Sequence, residues 1–175
     1  MMTYNMATSN GYHHTALYKS NTSNSYHNSD NKVASTLASC SVDESVTIFN
    51  NFGVSSSKLI AGSGFYGIIQ IRDTVNSSWY HPKKDDVTYT INPSYKQIKQ
   101  NYLNNANYTY YYDNVCQVPY LISKDRLTFI SYENQTSVLA KCEYAKTKGL
   151  AGVFAWQAGL DDGDLINAFK EGLSK

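Results

Sequence analysis

Leu150-Ala151-Gly152-Val153-Phe154-Ala155-Trp156 is a run of apolar residues and one glycine with no polar side chain in it. A strand with one wet face alternates apolar and polar residues. An unbroken run this short fits a strand buried on both faces, as parallel sheets are. Parallel strands need long crossovers, so helices should flank it. The sequence supplies them. Thr136 to Lys148 has Val138, Cys142 and Ala145 at inward-facing spacing and ends at Gly149, and Leu165 to Leu173 makes a last short helix.

The same order is legible earlier in the chain. The first residues, from Met2, read as a short apolar strand running into a polar loop, Asn10 to Asn31. Ser41-Val42-Asp43-Glu44 starts a helix with acid in its first turn, with Val42, Val46, Phe49 and Phe52 at helical spacing and Gly53 to end it. Lys58 to Tyr66 follows as a buried strand whose small residues admit close neighbours.

Between Gly67 and Tyr132 the pattern changes to short β-prone pieces, Asp86 to Ile91 and Leu127 to Tyr132, around a helix near Ser94 to Leu103. The fold class predicted is α/β, a partial (β/α)8 TIM barrel with an α+β insertion lobe. Residues 1–66 and 133–175 form the barrel segments and 67–132 the lobe. Such a piece leaves two sheet edges open.

Composition narrows the partners. Fifteen Lys and Arg against fourteen Asp and Glu leave a net charge of +1, which argues against nucleic acid and anionic membrane. Sixteen Tyr supply rings with an apolar face and a polar tip, suited to sugars, although a compositional habit accounts for them equally well. Cys40, Cys116 and Cys142 lack metal spacing, and His13, His14, His27 and His81 are separated by polar loops, so no metal or cofactor is expected. Asn-x-Ser/Thr occurs at Asn21, Asn76, Asn107 and Asn134. No apolar stretch approaches a membrane span, and the start of the chain lacks the features of a signal peptide, so an export signal is expected upstream.

Several stretches, taken in order, resemble family 18 glycoside hydrolases, the chitinase-type barrels. Met2-Thr3-Tyr4-Asn5 is similar to the Met-x-Tyr-Asp motif of the sixth strand, and His13 to Tyr18 to the loop ending Ala-Pro-Leu-Tyr. Val42 to Val46 is similar to the next helix. Lys58 to Gly67 resembles the seventh strand, and Gln117-Val118-Pro119-Tyr120 with Ile130 to Asn134 resembles the end of the insertion lobe. Gly149 to Trp156, followed by Asp161-Asp162, resembles the eighth strand. The match runs over nearly the whole chain and places it at about strands 6 to 8, with the N-terminal barrel half expected in the same parent chain.

The resemblance implies hydrolysis of β-1,4 N-acetylglucosamine linkages, in which the substrate's own acetamido group attacks the anomeric carbon while a glutamic acid protonates the leaving oxygen. That Glu ends an Asp-x-x-Asp-x-Asp-x-Glu motif, which is absent from these 175 residues. This chain alone is therefore expected to be inactive. Tyr4 corresponds to the Tyr that holds the acetamido oxygen, and Asn5 stands where the family has Asp. Trp156 corresponds to the hydrophobic floor under the sugar, with Gln157 beside it. Met2 and Tyr95 correspond to pocket-lining positions, although Gln97 replaces the acidic residue after Tyr95 and Ile68 replaces the usual Arg. For Tyr4, Trp156 and Met2, ordinary core packing is the alternative reading. The expected partner is chitin or an N-acetylglucosamine oligosaccharide, and the setting extracellular. A non-catalytic chitinase-like lectin and a peptidoglycan or spore-wall hydrolase of the same fold are the competing functions.

Overall fold

The computed structural model describes residues 1–6, 13–19, 40–78, 80, 82 and 92–174. Most of the polar loop at Asn10 to Asn31, the strand expected at Asp86 to Ile91, and both His27 and His81 lie outside the described residues.

Helix α1 (Val42–Asn51) opens on Ser41, whose hydroxyl accepts from the Glu44 N–H at 3.1 Å. Asp43 and Glu44 sit in its first turn, favourably placed against the helix dipole. The chain leaves the helix through Gly53 at φ 81°, a left-handed conformation that a side chain would strain. Val42 and Val46 pack with Leu17, Leu59, Ala61 and Tyr144. Phe49 and Phe52, expected to continue that face, are instead 42% and 84% exposed, because the packing cluster takes only Val42 and Val46 from this helix.

Strand β1 (Ile60–Gly64) pairs in parallel with β6 (Gly152–Trp156), from Ile60 opposite Gly152 to Gly64 opposite Trp156. The backbone groups of β1 alternate in direction. Leu59 C=O and Phe65 N–H meet the Ala151 N–H and Trp156 C=O on the β6 side. The even-numbered residues turn the other way: Gly62 N–H donates to the Met1 carbonyl at 3.0 Å, and the Thr3 hydroxyl donates to Gly62 C=O at 2.9 Å. The expected opening strand is therefore a docked but irregular segment. Its ladder is broken where the Thr3 N–H turns back to Met1 C=O and the Thr3 hydroxyl substitutes for main chain.

The expectation that β6 is buried on both faces fails in the same way. Its residues are half-buried to exposed, since β1 is its only strand partner among the described residues.

Strands β2 (Ile68–Ile71), β3 (Tyr108–Asp113), β4 (Val118–Ser123) and β5 (Thr128–Ser131) form a second, antiparallel sheet in the order β2-β5-β4-β3. Helix α2 (Tyr95–Ile98) opens on a Ser94–Gln97 capping box and widens into a π-helical turn over Lys99–Leu103. Gln97, where the resemblance leads to an acidic residue, thus serves as a cap. Helix α3 (Gln135–Thr147) is capped by Asn134 and leaves through Gly149 at φ 63°. Helix α4 (Asp164–Ser174) crosses it closely at Gly172, where an added Cβ would lie 2.6 Å from the Cys142 Cβ. One core cluster joins these parts: Phe65, Ile69, Tyr95, Ile98, Leu121, Ile130, Tyr132, Val138, Cys142, Leu165, Ala168 and Phe169.

A buried polar knot joins four parts of the chain. Glu133, just after β5, accepts from the hydroxyls of Thr15 (2.7 Å), Ser63 on β1 (2.6 Å) and Ser137 on α3 (2.6 Å). It also accepts from the Lys141 ammonium, which donates in turn to Thr15 Oγ1 at 2.5 Å. Burial pulls the Lys141 pKa down and the Glu133 carboxylate opposes that pull. Removing one member of such a pair strands a buried charge, at about 3–5 kcal/mol. Lys141→Met is accordingly expected to lower the urea unfolding free energy by about that amount, and Lys141→Met combined with Glu133→Leu to cost less than the sum of the singles.

Candidate active site

The site grows from the Gly62-Ser63-Gly64 stretch of β1. Side chains alternate across a strand, so Ser63 faces the Glu133 knot while Gly62 and Gly64 face the other way and leave that surface bare. Aromatic rings fill the space. A Cβ on Gly62 would lie 2.8 Å from Phe154 and 2.9 Å from the Tyr4 ring. One on Gly64 would lie 2.9 Å from Tyr66, 3.1 Å from His14 and 3.2 Å from the Tyr4 Cβ. The Tyr4 ring meets Tyr66 and Phe154 edge to face at centroid distances of 6.3 and 6.1 Å. Burial raises the pKa of both the Tyr4 and Tyr66 phenols, so each is a neutral O–H at ordinary pH.

Asn5 occupies a left-handed turn at φ 58°, a conformation Asn tolerates better than most residues. Three contacts hold it there. The Tyr66 hydroxyl donates to Asn5 Oδ1 at 2.6 Å, the Asn5 N–H donates to His14 Nδ1 at 3.4 Å, and the next N–H, of Met6, donates to His14 C=O at 3.0 Å. With Nδ1 accepting, His14 Nε2 carries the proton and donates to Tyr66 C=O at 3.1 Å. Full burial, aided by the Lys141 charge, lowers the His14 pKa to about 3, so the ring is neutral.

Trp156 ends β6 opposite Gly64, 55% exposed, and its carbonyl accepts from the Phe65 N–H at 2.8 Å. The following peptide, to the exposed Gln157, is cis. Lysines of the α2 segment grip the next loop. Lys96 Nζ donates to Gly159 C=O at 3.4 Å, and Lys99 Nζ binds Asp162 and Asp164, each at 2.6 Å.

Tyr4, Asn5 and Trp156 are thus gathered at one end of β1, with Gln157 beside them. Two other predicted residues are placed differently. Tyr95 is only 4% exposed, a core ring whose hydroxyl donates to Asp164 at 3.4 Å; Tyr4, at 8%, is likewise a packed ring, in a cluster with Tyr66 and Ile68. Met2 is 77% exposed, neither packed in the core nor enclosed. Sequence reasoning missed Tyr66 and His14, the two side chains that orient Asn5. Their contacts span 61 and 9 residues along the chain and follow no local period.

Comparison with known proteins gives the family. The family model described as Glycosyl hydrolases family 18 matches residues 1–161. A probable endochitinase of Orgyia pseudotsugata multicapsid polyhedrosis virus is 32% identical over 139 residues, covering 74% of this chain and 24% of the relative. A chitinase of Autographa californica nuclear polyhedrosis virus is 40% identical over 74 residues, 42% of this chain and 13% of that one. Among solved structures, a glycoside hydrolase family 18 N-acetylglucosaminidase from Paenibacillus barengoltzii superposes with a TM-score of 0.74 at 29% identity, covering 98% of this chain and 47% of the other. The chain therefore spans less than half the length of these relatives.

The glycine slot makes a sharp test. Gly64→Ala drives a methyl into the Tyr66 and His14 rings, and overpacking of this kind costs about 1–3 kcal/mol. Chemical denaturation should register that loss, together with an altered near-ultraviolet tyrosine signal, whereas Gly159→Ala, with no described residue within 4 Å of its Cβ, should change neither.

Proposed function

Because this chain belongs to the glycosyl hydrolases of family 18, we propose that it forms one wall of the cleft of a chitinase-like enzyme that hydrolyses β-1,4 N-acetylglucosamine linkages. The observation that supports the reading is that Gly64 has the Tyr4 side chain against its bare face, from the segment docked along one edge of β1, and Trp156 as its register partner on the strand paired along the opposite edge. An exposed indole at the end of a parallel strand offers an apolar face for a sugar ring. The Tyr4 hydroxyl offers a neutral donor to an acetamido oxygen, where positive charge builds on the ring formed by substrate-assisted attack. Gln157 offers an amide to a sugar hydroxyl.

On this reading residues 1–66 and 133–175 are the last part of a (β/α)8 barrel and 67–132 is its lobe. The half-exposed β6 and the limited share of each relative that the chain covers support a longer parent. The proton donor then lies outside this sequence, which contains no Asp-x-x-Asp-x-Asp-x-Glu run. Positioned general acid catalysis contributes about 10²–10⁴-fold. The substrate is an extracellular polymer and the parent is secreted; no helix among the described residues is long and apolar enough to cross a membrane.

Asn5 favours a second reading, a chitin-binding lectin. Its amide accepts the Tyr66 hydrogen bond but carries no charge to support a cationic intermediate. The fourth-strand residue of the parent separates the two, Glu marking an enzyme and an apolar or amide residue a lectin.

The 175-residue chain is expected to leave a labelled chitin oligomer intact at the buffer rate, and turnover above that rate would refute the assignment of the missing acid. In the same chain, chitin oligomer titrated against intrinsic fluorescence should bind about tenfold more weakly after Trp156→Ala, about 1.4 kcal/mol. Unchanged affinity would remove Trp156 from the site.

A further inference from the structure

Three side chains of metal-ligating type, one of them next in sequence to His14, meet inside the protein. His13, Asp113 and Cys116 present ring nitrogen, carboxylate oxygen and sulfur within 4.8 Å of one another, all buried. Asp113 closes β3, and Cys116 lies in the turn that leads to β4. The placement is built by backbone contacts. Asp113 Oδ1 accepts from the Val115 and Cys116 N–H groups, both at 2.9 Å, which folds the turn, and the Cys116 carbonyl accepts from the Leu17 N–H at 2.9 Å, which draws in the segment carrying His13. Chain spacing gave no sign of the set, since His13 lies far from the other two.

We infer that His13, Asp113 and Cys116 form a binding site for a zinc-type divalent cation, which ties the 13–17 segment to the β3–β4 turn.

One edge of the set already has the spacing of zinc ligands, and the sulfur lies within 4.8 Å of both its atoms. Tetrahedral zinc with bonds of about 2.0–2.3 Å separates its ligand atoms by roughly 3.3–3.5 Å. His13 Nε2 and Asp113 Oδ2 already stand 3.2 Å apart. The donor chemistry fits as well. Nitrogen, oxygen and sulfur together suit a borderline-soft ion, whereas magnesium and calcium call for oxygen alone. Charge balance decides for a divalent ion. One carboxylate, one thiolate and one neutral imidazole cancel a 2+ charge, the arrangement a site with no exposed surface tolerates. Burial and the Asp113 carboxylate raise the Cys116 pKa, so the free protein holds it as S–H, and binding forms the metal–sulfur bond with release of that proton to solvent. Three protein ligands leave a fourth position for water. Among the described residues His13 Nδ1 has no hydrogen-bond partner, and lack of an outer-shell acceptor costs about 10–100-fold in affinity. A moderate site is therefore expected, not one on which folding depends.

Zinc is spectroscopically silent, so cobalt(II) is the probe, added to the 175-residue chain both when folded and during refolding from urea, because the site is enclosed. The expected result is a thiolate-to-cobalt charge-transfer band that zinc displaces, and a thermal midpoint that zinc raises and magnesium does not. Cys116→Ala should abolish both effects, while Cys40→Ala and Cys142→Ala leave them intact. Should Cys116→Ala fail to fold, X-ray absorption of the zinc-loaded unmodified chain decides, with a single sulfur in the coordination shell expected. The absence of a thiolate band, a band that survives Cys116→Ala, or a shell without sulfur would overturn the inference and leave His13–Asp113 as a purely structural pair.

Discussion

The Glu133 carboxylate organises this molecule. It receives Thr15 from the N-terminal region, Ser63 from the central parallel strand, and Ser137 and Lys141 from the helix that follows it, all out of contact with water. A buried carboxylate is expensive unless each lone pair is matched, and this one is matched by three hydroxyls and an ammonium. The consequence is positional as much as energetic. The 13–17 segment, the β1 strand and α3 share one anchor, so the parallel pair and the antiparallel sheet hold a defined relation without a long ladder between them.

The candidate site is the reverse side of that anchor. Ser63 points to Glu133, so Gly62 and Gly64 must point away, and their lack of side chains is what admits Tyr4, Tyr66, His14 and Phe154. His14 also donates its backbone N–H to the packing behind it, reaching Ser131 Oγ at 3.0 Å. The ring lies between the anchor and the slot, and its neutral form, set by burial, lets one nitrogen accept from Asn5 while the other donates to Tyr66. A surface built this way has its aromatic rings and its turn at Asn5 held in place by the protein's own contacts.

Helix α2 and its π-helical turn contribute through their lysines. Lys96 and Lys99 reach across to the loop after Trp156, so that the exposed indole follows from a strand held on one side and a loop held on the other. Tyr95, read from sequence as facing the sugar, is used as packing and as a hydroxyl donor within that same clamp. The helix near Ser94 to Leu103 was legible in the chain. The role of its Tyr depended on Asp164, which approaches from a helix far along the chain.

The amino-acid sequence by itself determined the helices at Val42, Gln135 and Asp164, the parallel strands at Ile60 and Gly152, and the glycine breaks at Gly53 and Gly149, because caps, periodicity and left-handed turns are local properties. It also marked Tyr4, Asn5 and Trp156 through ordered motifs. Only the tertiary structure decided that the opening segment is docked instead of laddered, that β6 stays half-buried, and that Phe49 and Phe52 stay out of the core. It alone brought Tyr66 and His14 to Asn5, and His13 to Asp113 and Cys116. These outcomes depend on which surfaces meet, and contact between distant segments leaves no period or spacing in the chain.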